Sequence, residues 1–182
     1  MVDVKQTNAK WAETINLKLA ALDKFQGQTG WFENFKYEDG TPVAYVAAIN
    51  EYGVPERSLP ARPFMRPTAS KKKTEWAETA ATLSKRMVDG TLQPRDVYDL
   101  LGAKAATDIV KTIDSITAPP LSPITLGARK YRSEGKEVTG ATIGEIARKI
   151  KDGTLDVSGV PNKPLIDTNL MRNSIENIVE EV

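Results

Sequence analysis

The chain contains no cysteine and no histidine. Without cysteine there is no disulfide framework, no thiolate nucleophile and no zinc–thiolate site. Without histidine the usual proton carrier near neutral pH is gone, along with the commonest nitrogen ligand for metals. An excess of charge of one sign is missing too. Lys and Arg number 25 against 24 Asp and Glu, a formal net charge of +1, so no overall field draws the chain to nucleic acid or to an anionic membrane. No apolar run approaches the roughly 20 residues needed to cross a bilayer. The opening Met1-Val2-Asp3-Val4-Lys5-Gln6 lacks the apolar stretch of a signal peptide, so the expected site of synthesis is the cytoplasm, with no membrane partner.

What is present fits one domain of ordinary size spanning residues 1–182, with 40% apolar and 27% charged residues. The spacing of Trp11, Ile15, Leu19 and Leu22 predicts a first helix capped near Asn8 and ended by Gly27 and Gly30. The aromatic run Trp31 to Tyr37 reads as a strand closed by the Asp39-Gly40 turn. Val43 to Tyr52 is ambiguous, since Val43-Ala44-Tyr45-Val46 favours a strand and Ala47-Ala48 a helix; the reading leans to a short helix, with Gly53 at the terminating left-handed position. Four prolines between residues 54 and 67 exclude a central strand there, and Arg62 and Arg66, each before a proline, are expected to be extended.

Pro67 fits the first turn of a helix carrying Trp76, Ala80, Leu83 and Met87 on one face and ending at Asp89-Gly90. A second long helix follows Pro94, with Val97, Leu101, Ala105, Ile109, Ile113 and Ile116 in register, and stops at Pro119-Pro120. Residues 121–163 read as a loop-rich insertion holding one helix, Thr142 to Lys151. A short helix after Asp167 and a strand from Ile175 to Val182 complete the pattern, although Ile175, Ile178, Val179 and Val182 also fit a helix. The expected fold class is α+β, a small and mostly antiparallel sheet packed against two long helices.

No motif carries an enzyme convincingly. Ser70-Lys71-Lys72-Lys73 matches the serine-x-x-lysine pattern of acyl enzymes, but neither accompanying element is present, so it reads as a solvated helix turn. Glu33, Glu38, Asp39, Glu51, Glu75, Glu78, Asp96 and Asp99 include no pair that sequence can place at glycosidase separation; a glycan hydrolase is a rival without a motif. Glu51, beside Tyr52-Gly53, reads as the receiver of Arg62 or Arg66. Arg129, Lys130, Arg132 and Lys136 surround Tyr131 in a stretch that reads as a mobile loop, and they are the candidate contacts of an alternative function, a nucleic-acid-binding module on residues 127–136. Asp167 is placed to cap the next turn, which leaves Arg172 exposed and needing a partner. No cofactor, metal cage or phosphate loop is indicated.

Two segments remain. Glu51-Tyr52-Gly53 with Pro60-Ala61-Arg62-Pro63-Phe64-Met65-Arg66-Pro67, and Pro164-Leu165-Ile166-Asp167-Thr168 with Leu170, Arg172, Asn173, Ser174 and Ile175, together resemble the neck or tail-completion proteins of tailed bacteriophages, also labelled minor tail or virion-morphogenesis proteins. In that family a glutamate-aromatic-glycine element precedes an Arg-Pro-Phe-x-Arg-Pro arm leading into a long helix, and an Asp-Thr-Gly-x-Leu-Arg-x-Ser-Ile pattern leads into a last strand. The resemblance covers about a quarter of the chain. Asn169 stands where the family usually has glycine, a substitution asparagine tolerates at positive φ; residues 121–163 have no counterpart to which a role can be carried.

The resemblance implies an α+β subunit of the virion without catalytic activity. It would form a homo-oligomeric ring, a hexamer or dodecamer, between the head connector or adaptor and the tail proteins, with passing contact to packaged DNA. It also implies that Arg62, Phe64 and Arg66 fix the arm and that the C-terminal element completes the sheet. Phe64, Met65, Leu165 and Ile166 are the apolar anchors expected at subunit contacts, beside arginine–carboxylate pairs.

Overall fold

The computed structural model describes residues 4–182, with side chains described from residue 11 onward. The described residues form seven α-helices and one two-stranded sheet. The helices are α1 (Val4–Ala20), α2 (Val43–Tyr52), α3 (Met65–Val88), α4 (Pro94–Ser115), α5 (Pro123–Ser133), α6 (Gly140–Lys151) and α7 (Leu170–Asn173); the strands are β1 (Phe25–Gly30) and β2 (Glu176–Glu181). The expected α+β class holds, including two long helices and a terminal strand in place of the rival helix.

β1 and β2 pair antiparallel, from Phe25 opposite Glu181 to Gly30 opposite Glu176, and both strands lie on α4. The first strand therefore precedes the aromatic run instead of coinciding with it. Gly27, read as a helix terminator, sits mid-strand because a side chain there would meet the Tyr98 ring at 3.2 Å. Trp31 to Tyr37 forms a loop whose rings turn into the core. Trp31 donates its indole N–H to Met171 O at 2.6 Å and packs edge-on against Phe64 at 5.3 Å.

α1 begins at Val4, so Asn8 lies inside the helix and is not its cap. Its predicted apolar face is only lightly covered: Ile15 is half-buried, whereas Trp11 is 69% and Leu19 40% exposed. The Asp39-Gly40 turn is as expected, with Gly40 at φ 81° and the Thr41 amide donating to Asp39 Oδ1. Gly53 ends α2 at φ 75°, and a Cβ there would stand 2.7 Å from the Ala61 amide nitrogen.

Three apolar clusters form the interior. The main one joins Val43 and Ala47 of α2, Phe64, Ile109 and Ile113 of α4, and Met171 of α7. A second, Leu83, Met87 and Val97, closes the α3–α4 hairpin. The third, Ala128, Tyr131 and Ile146, lies between α5 and α6. Residues 123–151 thus form a helical hairpin, and the rest of the expected loop-rich stretch, 152–163, is irregular. Ser122 caps α5 by accepting from the Thr125 amide, and Pro123 supplies its first turn. Gly127 lets α6 approach, since a Cβ at this position would lie 2.5 Å from Ile146 Cγ2.

Candidate interaction site

Glu51 sits on the last turn of α2, 4% exposed, and its carboxylate reaches across to the start of α3. Oε2 accepts from the amides of Phe64 (2.6 Å) and Met65 (2.9 Å), and Oε1 from the Arg66 amide (3.1 Å) and Arg66 Nε (2.9 Å). A side chain thirteen residues upstream thereby caps the helix whose own preceding residues offer no capping oxygen. Burial alone would raise the Glu51 pKa, but the three amides and the guanidinium more than reverse this and hold it below the ordinary value. Arg66 also donates Nη2 to Glu51 O and stacks on Tyr52 at 4.7 Å.

The Glu51 lock corrects the backbone expectation for Arg66. It precedes a proline yet belongs to the first turn of α3, because the Glu51 carboxylate holds its amide in the helical frame. Arg62 was the other candidate for Glu51. It turns away, is 4% exposed, and donates Nε to Pro119 O (2.8 Å) and Nη2 to Pro120 O (3.0 Å). The arm is consequently not free. It is fastened at Arg62 to the chain leaving α4 and at Phe64 to Arg66 by α2.

Phe64 is fully buried in the core of its own chain, with Met65, Leu165 and Ile166 half-buried against the same cluster. These four anchors stabilise the protomer. Thr68, one turn into α3, donates to Phe64 O and meets Thr112 Oγ1 of α4, both at 2.6 Å.

The C-terminal motif is arranged differently from its sequence reading. Asp167 does not cap α7; it pairs with Arg129 (3.4 Å) and with Arg132, while the Leu170 amide donates to Thr168 Oγ1 at 3.3 Å. Asn169 adopts φ 61°, the positive value anticipated for the residue in place of glycine. Arg172 is not unpartnered. It grips Asp114 of α4 through Nε (2.7 Å) and Nη2 (2.8 Å), and that fork holds the aspartate's pKa down.

The basic segment 127–136 is mostly helix α5, so the mobile-loop expectation is overturned. Arg129 is 8% exposed and donates Nη1 to Pro161 O and Lys163 O. Lys130 donates to Asp156 O, and Lys136 pairs with Glu134 and lies over Tyr131. Tyr131, the proposed stacking ring, is itself buried at 4% exposure.

Sequence reasoning missed two carboxylates. Asp108 is 3% exposed between the long helices, where it accepts from Trp76 Nε1 at 2.9 Å and pairs with Lys104 at 3.2 Å. The Lys104–Asp108 spacing of one helical turn was the available signal. Asp114 gave no local signal, because its partner is 58 residues away. Among the described residues no cluster of three or more His, Cys, Asp or Glu could hold a metal ion, and no helix is long and apolar enough to cross a membrane.

With these residues engaged, the exposed apolar surface lies elsewhere. Trp11, Leu17 and Leu19 stand out on α1, and Tyr45 and Tyr52 on α2, the latter beneath Arg66. Comparison with protein-family models, with curated proteins and with solved structures gives no match.

Proposed function

We propose that this chain is a structural protein of a tailed-bacteriophage virion, acting at the head–tail junction by assembling into a ring and docking to connector and tail proteins. The observation that carries the reading is the Glu51 lock. The segments that resemble the neck and tail-completion family are the ones whose polar groups fasten distant parts of the protomer: Glu51 to residues 64–66, Arg62 to residues 119–120, and Arg172 to Asp114. Their chemistry is used to fix shape. The exposed aromatic and apolar side chains of α1 and α2, with Arg66 among them, supply the kinds of residue that dominate protein contacts.

Purified protein examined by native mass measurement and negative-stain imaging, alone and with connector-bearing heads, tests the proposal. Rings, or a stoichiometric collar on heads, are expected. Particles lacking the protein should accumulate as filled heads and finished tails that fail to join. Normal yields of infectious particles without it would overturn the proposal. The nucleic-acid alternative gains no observation from residues 127–136, where Arg129 and Lys130 donate to backbone carbonyls and Arg132 and Lys136 to carboxylates.

A further inference from the structure

Arg62 is a buried cation without a counter-charge. It is 4% exposed, its hydrogen bonds go to two carbonyl oxygens, and among the described residues no carboxylate pairs with it. Charges removed from water are ordinarily matched by an anion, because leaving one unmatched is costly. A second buried guanidinium, Arg129, adds to the imbalance; burial first and this neighbour second hold the Arg62 pKa down. Arg129 donates Nη1 to carbonyls, and its buried Nε has no hydrogen-bond partner. The one nearby carboxylate, Asp167, stands 3.4 Å from that nitrogen and is shared with Arg132.

These groups line a cleft of about 610 Å³ between α2, the arm, α5 and the segment before α7. Leu59, Leu121, Leu165 and Leu170 form much of its remaining wall. A cationic floor between apolar walls selects a carboxylate next to an apolar side chain.

We propose that this cleft binds an acidic peptide segment with an apolar tip, and that its occupant is the Glu180-Glu181-Val182 corner of a second copy of the chain. Glu180 and Glu181 are exposed and form no ion pair among the described residues, and Val182 is 84% exposed. The Val182 amide donates to Lys24 O at 2.9 Å, so the corner is presented on a fixed backbone. Cleft and corner share no residue, so their contact joins unlike surfaces head-to-tail, the kind that closes a ring when its rotation allows. The choice of a second copy rests on the ring reading above; the chemistry of the cleft does not.

The test uses the full chain and an amidated peptide of residues 175–182. Saturable binding is expected in calorimetry, weakened at least about tenfold when Glu180 and Glu181 of the peptide become glutamine. Thr125→Glu places a carboxylate at the cleft wall while giving α5 the favourable Ser-x-x-Glu start, so it should stay folded and lose the peptide. Equal binding of the glutamine peptide, or undiminished binding by T125E, overturns the site. Competition by inorganic phosphate as effective as the peptide makes it a general oxyanion site and overturns the peptide assignment. The full-length E180Q/E181Q variant should also fail to oligomerise. Rings that persist in it, with no peptide binding, sink this inference and leave the ring reading intact. Peptide binding by a wild-type chain that never oligomerises, alone or on heads, removes the second copy as occupant and tells against the ring reading.

Discussion

The arm and the α5–α6 hairpin hold their shapes by opposite means. Around the arm, polar side chains connect segments far apart in sequence, and a single carboxylate receives three backbone amides and a guanidinium. In the hairpin, Ala128, Tyr131 and Ile146 pack locally, and Gly127 provides the close approach. Arg129, Lys130 and Arg132 reach onward, to carbonyls of the following segment and to Asp167. The contrast teaches that the conspicuous motif residues act as long-range fasteners, whereas the stretch that looks like loop folds through near neighbours.

Substitutions can break this contrast, starting where the effect is greatest. Phe64→Ala empties the centre of the main core and should cost about 3–5 kcal/mol, read by urea unfolding. A cost below about 1 kcal/mol would mean that the arm is not the keystone described. Glu51→Ala leaves buried amides unmatched and should cost about 3 kcal/mol, with amide exchange accelerated at residues 64–66. Unchanged exchange there would remove the lock.

Gly127→Ala sharpens the other side. Its methyl would press on Ile146, costing about 1–3 kcal/mol, with chemical-shift changes concentrated in residues 122–155. Perturbation spreading to α2 would show the two regions to be one cooperative unit. Arg172→Ala removes a surface fork to Asp114 and should shift the urea midpoint least of these variants.

Acid provides the subtlest probe. The folded Glu51 pKa lies below its ordinary 4.5, so its stabilisation is complete above that value and is lost as pH falls through the folded one. Thermal melts should therefore decline below about pH 4.5 in wild type, and less steeply in Glu51→Gln. Identical acid slopes would show that Glu51 is not the group responsible.

The two long helices were legible because their apolar periodicity coincides with the faces that are buried, as at Val97, Ile109 and Ile113, whereas α2 was half legible, its opening Val43-Ala44-Tyr45-Val46 pointing equally to a strand. That Glu51 would receive an arginine was legible from its place beside the rigid turn; the choice of Arg66 over Arg62 was not, since Arg62 is drawn to carbonyls far along the chain. β1 was not, since Phe25-Gln26-Gly27-Gln28-Thr29-Gly30 has neither alternation nor β-branched residues beyond one threonine, and its pairing is decided by Tyr98 and β2. α5 announced itself through Ser122-Pro123, but Gly127 and the basic residues masked a helix whose face is set by α6. The destinations of Arg62, Arg172 and Asp167 depend on contacts 35 to 58 residues away, beyond any local pattern.

The pairing of β1 with β2 also imposes a schedule. Residues 31–175 intervene, so at ordinary translation speeds the first strand waits roughly 7–30 s for its mate. Until Glu176 emerges, the ribosome carries a subunit whose sheet is half made and whose proposed docking corner does not yet exist. Competence to join neighbours would then arrive together with closure of the sheet. Under the proposed assembly, an unfinished copy would lack the corner its neighbour is to bind.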